Sequence, residues 1–100
     1  MTLRTFIIER DIPDVGALSA EELGAVARAS NNVIDGLDVP YHWVQSFVTT
    51  NKIYCIHVAP DAETVRKHAL RGGLACDRVE EVRAVIDPSS APPETGGGPA

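Results

Sequence analysis

The chain has 100 residues, about one domain's worth, and its 44% hydrophobic and 23% charged residues are the proportions of a globular protein rather than a disordered one. A net charge of -5, from 14 acidic and 9 basic residues with the basic ones scattered, argues against nucleic acid, because phosphate binding needs clustered Lys and Arg. No apolar run approaches the roughly 20 residues of a membrane helix, and MTLRTFIIERD has no signal-peptide layout, so no membrane partner and a cytoplasmic, reducing compartment are expected.

Phe6, Ile7 and Ile8 read as a first strand, broken at Asp11-Ile12-Pro13 because Pro13 cannot serve a sheet interior. Ser19-Ala20-Glu21-Glu22 forms a capping box, with Leu18 and Leu23 placed as a hydrophobic staple. Leu23, Val26, Ala27, Ser30, Val33, Ile34 and Leu37 recur at helical spacing and predict one amphipathic helix, closed by Gly36 and Pro40. Tyr41 to Thr49 and Lys52 to Ala59 are rich in β-branched and aromatic residues and predict a hairpin that turns at Thr50-Asn51. Asp61 can cap a second helix with Val65 and Ala69 on its inner side, and Gly72-Gly73 stops it. Val79 to Ile86 alternates loosely and predicts a fourth strand. From Pro88 onward nothing apolar anchors the chain, and a disordered tail is expected. The order β-α-β-β-α-β predicts an α+β, ferredoxin-like sandwich over residues 1–87, a four-stranded antiparallel sheet with two helices, and a tail over 88–100.

If Val48 faces Ile53, period-two alternation puts Trp43, Gln45, Phe47, Tyr54, Ile56 and Val58 on one side of the hairpin. His42, Val44, Ser46, Val48, Ile53, Cys55 and His57 fall on the other. Both sides are largely apolar, yet two helices cover only one face of such a sheet. A second copy packed sheet to sheet about a two-fold axis is the simplest cover for the other, which predicts a homodimer.

No Ser/His/Asp arrangement, Gly-rich phosphate loop or HExxH helix is present. Cys55 and Cys76 are too few and too far apart for a metal knuckle or a disulfide framework. What remains is a loose set of metal-ligand types. His42 and His57 are expected on one hairpin face beside Cys55, His68 on the second helix turned toward the sheet, and Glu9 at the end of strand one. Imidazole suits nickel, copper, zinc and iron, and added carboxylate or water favours an octahedral site. The plainer alternatives are hydrogen-bonded core histidines and a small buried hydrophobe at Cys55.

FIIERDIP at 6–13, WVQSFVTTNKIYC at 43–55 and APDAETVRKHALRGG at 59–73 resemble a family of small bacterial ferredoxin-like proteins, some actinobacterial members of which are described as nickel-binding or nickel-responsive. The resemblance runs from about Phe6 to Pro88. It implies a dimer of the α+β barrel type and a site for nickel or another divalent metal, in a protein that buffers or responds to the metal. Glu9, Ser46, Cys55 and Ala59-Pro60 match the family's pattern, and His68 matches its nickel-associated branch. Gln45 stands where relatives often place His, which leaves His57 or His42 to supply the imidazole. Taken with the histidines read above, the expected ligand set is His68, His57, His42 and Glu9, with water completing the shell. By fold analogy the alternative is a cofactor-free small-molecule-binding protein or enzyme, with His68, Tyr54 or Glu9 as acid or base and Cys55 and Gln45 as further pocket residues.

Overall fold

The computed structural model describes residues 2–94. In chain order they form β1 (Arg4–Asp11), α1 (Ala20–Asp35), β2 (His42–Val48), β3 (Lys52–Ala59), α2 (Ala62–Gly72) and β4 (Arg78–Glu81), with single 3-10 turns at Val15–Ala17 and Pro88–Ser90. The strands make one antiparallel sheet in the order β2-β3-β1-β4. This is the predicted α+β, ferredoxin-like arrangement. Alternate residues of the two central strands, Phe6, Ile8 and Arg10 on β1 and Ile53, Cys55, His57 and Ala59 on β3, are buried. Val65, His68 and Ala69 of α2 and Ser30 of α1 are buried too.

The capping residues act as their sequence suggests. Ser19 Oγ accepts from the Glu22 amide at 3.1 Å, and Glu22 Oε1 accepts from the Ser19 amide at 3.0 Å. Asp61 Oδ1 accepts from the Thr64 amide at 2.8 Å. Gly73 ends α2 at φ 65, a left-handed cap that favours glycine.

Three boundaries differ from expectation. First, β1 runs over all of Arg4–Asp11, because β3 offers a partner to every one of those residues. Second, β4 stops at Glu81 instead of reaching Ile86. Phe6 pairs with Glu81 and the Val82 amide donates to the Thr5 carbonyl at 2.8 Å, so the start of β1 leaves later residues without a partner strand. Val85 and Ile86 are accordingly 82% and 83% exposed.

Third, the hairpin has the expected Val48–Ile53 register only as far as Gln45–Ile56. An irregularity between Trp43 and Gln45 makes Val44 an extra residue, after which Trp43 opposes His57 and His42 opposes Val58. A bulge of this kind turns the preceding side chains over. His42 and His57 therefore lie on opposite faces of the sheet, and Trp43 moves to the helix side.

Of the expected tail over 88–100, residues 95–100 lie outside the described residues. Residues 88–94 are exposed, and their one turn is capped where Asp87 Oδ1 accepts from the Ser89 amide at 2.8 Å.

Candidate functional site

Between the sheet and the helices sits a cluster of polar and aromatic side chains inside an otherwise apolar core. Tyr41, just ahead of β2, bonds through its hydroxyl to His57 Nδ1 on β3. The ring tautomer of His57 sets which of the two groups donates in that bond. His68 projects from α2 against both Tyr41 and His57. Its ring stacks on Tyr41 with centroids 5.2 Å apart and meets His57 edge-on, also at 5.2 Å. His68 Nε2 lies 3.1 Å from Ser30 Oγ of α1. His68 Nδ1 is buried and has no partner, which a buried polar atom rarely tolerates. His57 and His68 are 1% and 0% exposed.

Burial sets the charge state of this cluster. It pushes His57 down to about 3, helped by His68 and by the positive charge of Arg10. It also lowers His68, with Arg10 acting in the same direction and the Ser30 bond opposing. Burial raises the Tyr41 hydroxyl, against the pull of Arg10. Both imidazoles and the phenol are neutral over the physiological range.

Beside the cluster is a cavity of about 190 Å³, lined by Arg10, Ser46, Cys55 and His57 from the sheet and by Leu23, Val26, Ala27 and Ser30 from α1. Trp43 lines it as well, with its indole N–H donating to Ser46 Oγ at 2.9 Å. Arg10 is 3% exposed. Its Nη1 donates to the Ala75 carbonyl at 2.6 Å and its Nε to Cys55 Sγ at 3.3 Å.

The residues proposed from sequence divide between the two faces. His57, His68 and Cys55 gather on the helix side. Glu9, Tyr54 and Gln45 occupy the opposite face with His42, where Glu9 Oε2 accepts from Lys52 Nζ at 3.0 Å. Of the three further pocket candidates, Cys55 alone lines the cavity. Arg10, Tyr41, Ser30 and Trp43 were not anticipated. For Arg10 the signal was available, since strict alternation from Phe6 and Ile8 places it on the core face.

The donor types suit nickel in part: two neutral imidazoles, one with an unused nitrogen. Among the described residues, however, no three His, Cys, Asp or Glu side chains gather into a group able to hold a metal ion. The Arg10 charge nearby also opposes a second cation.

Among the described residues no helix is long and apolar enough to cross a membrane. No curated protein matches the chain. The crystal structure of SCO4226 from Streptomyces coelicolor A3(2) is similar to it with a TM-score of 0.70 at 22% identity, covering 82% of this chain and 99% of that one. At that identity the likeness speaks for the fold. The family described as nickel responsive protein SCO4226-like matches residues 6–82, most of the chain, and the protein belongs to that family.

Proposed function

We propose that this chain is a small binding protein without catalytic chemistry, which holds a small molecule in the cavity between α1 and the sheet. The observation that carries this reading is Arg10, a buried guanidinium that lines a largely apolar cavity and has no carboxylate partner among the described residues. Binding sites have this composition, apolar walls with a few placed polar groups. Proton-transfer chemistry is poorly served, because an effective acid or base titrates near the working pH. His57, at about 3, and Tyr41, raised by burial, are moved away from it in opposite directions. Compounds near the size of benzene should raise the melting temperature of the parent. Ala27→Leu, which fills the cavity from α1, should remove the effect. A parent protein unmoved by every compound in such a panel would sink the reading.

Divalent metal is the second reading, favoured by the family's nickel response and by the orphaned Nδ1 of His68. His68 and His57 would bind, with water filling the other positions, in a protein that buffers or responds to the metal. Nickel titration calorimetry on untagged protein is the test. His68→Ala should abolish binding at this pair. Because burial lowers both rings, binding here should persist below pH 6.5, whereas ordinary surface imidazoles lose metal as pH falls through about 6.5. If His68→Ala binds as tightly as the parent, the exposed His42 and the Glu9 carboxylate on the other face become the residues to test.

The homodimer expected from the sequence belongs to the same proposal. The outer face of the sheet, away from both helices, would pack on its own copy.

A further inference from the structure

We infer that the cavity takes a small organic monoanion, a carboxylate on an apolar body about the size of benzene, with the Arg10 guanidinium as its anchor. The inference rests on the cavity reading above and names the class of its ligand.

Arg10 is an unusual residue to find on the core face of a central strand. A buried charge is costly unless it is paired. The ion pairs of the described residues engage Arg4, Lys52 and Arg83, and none includes Arg10. Its two bonds go to a carbonyl oxygen and a sulfur, through Nη1 and Nε. Neither of these bonds uses Nη2. The space that Arg10 borders is the cavity.

The rest of the lining agrees in sign and shape. Among the described residues no Asp or Glu lines the cavity, so a cation would find no counter-charge there. His57 lies on the same wall as a second polar group. Leu23, Val26, Trp43 and Ile53 supply apolar surface for the body of the ligand. A dry cavity of about 150 Å³ is known to admit benzene, so 190 Å³ suits a single ring or a short acyl chain carrying one carboxylate. The planar guanidinium fork is the side chain best matched to that group.

Calorimetric titration of the full chain in metal-free buffer with benzoate, benzyl alcohol and inorganic phosphate separates the possibilities. Benzoate should bind at least about tenfold more tightly than either other probe, and Arg10→Met should cost it about tenfold or more. Arg10→Met, shown by circular dichroism to be folded, should keep its benzyl alcohol affinity, since that probe has no charge for the guanidinium to pair. Should Arg10→Met not fold, Arg10→Lys keeps the charge without the fork and should weaken benzoate selectively. Ala27→Leu should weaken benzoate and benzyl alcohol alike. Equal affinity for benzoate and benzyl alcohol, indifferent to Arg10, would overturn the anion inference and leave the cavity reading standing. Phosphate binding as tightly as benzoate would overturn the organic assignment. Binding of none of the probes would overturn both readings.

Discussion

His57 and His68 are imidazoles kept uncharged inside the protein, and keeping them so becomes harder as the solution turns acidic. In the unfolded chain His57 takes a proton near 6.5, while in the folded chain it resists down to about 3. Between those values the unfolded state binds the extra proton, so stability is complete above about pH 6.5 and falls as pH drops toward 3. The slope is about 1.4 kcal/mol per pH unit for one proton, and steeper if the lowered His68 adds its share. Denaturant titrations of metal-free protein at pH 7 and pH 5 should show that loss, and His57→Phe should flatten it. A parent whose stability is level over that range would contradict a neutral buried His57. At this scale the sequence was partly legible. His68 turned toward the sheet follows from helical spacing beside Val65 and Ala69, whereas Tyr41 and Trp43 joined the site through a turn in β2 that no residue type announces.

The helices and their ends could be read from sequence because each boundary rests on local chemistry: Ser19 and Glu22, Asp61, Gly73. The sheet was less legible, since register and strand ends depend on partners distant in sequence. Val44 carries no bulge signal, yet as the extra residue it separates His42 from His57 and brings Trp43 to the cavity. A second long-range device joins the segment after β1 to the hairpin turn. The Ile12 amide donates to the Asn51 carbonyl at 3.0 Å, the Asp14 amide to Asn51 Oδ1 at 2.9 Å, and the Gly16 amide to the Thr50 carbonyl at 3.0 Å. The chains approach so closely that a Cβ at Gly16 would fall 2.7 Å from the Thr49 oxygen and 2.8 Å from the Thr50 Cα. Both obstacles are backbone and cannot swing aside. Gly16→Ala should therefore cost about 1–3 kcal/mol in chemical denaturation. A loss under about 0.5 kcal/mol, typical of a neutral surface change, would mean that the turn yields freely.

Across the whole molecule the two faces of the sheet are treated unequally. The helices cover Phe6, Ile8, Ile53 and Cys55, while on the other face Ile7 is 42% exposed and Phe47 52%. Ile7 pairs with Ile56, and Phe47 with Tyr54, so these side chains form one apolar patch across three strands. Its margins carry both signs of charge, Glu9 and Asp11 around Lys52 at 3.0 and 3.4 Å, and Arg78 and Glu80 on β4. A face with an apolar centre and mixed charges at its rim can complement itself about a two-fold axis, with the acidic groups of one copy meeting the basic groups of the other. Sedimentation equilibrium at micromolar concentration should then show a dimer. Ile7→Lys is the sharpest perturbation, because it places a charge at the centre of the patch without entering the core around Ile8. The variant should sediment as a monomer and keep the parent's far-ultraviolet circular dichroism. A parent that is itself monomeric would refute the pairing, and an Ile7→Lys variant that still dimerises would move the interface to another surface, for which the exposed Val85 and Ile86 are the next residues to change.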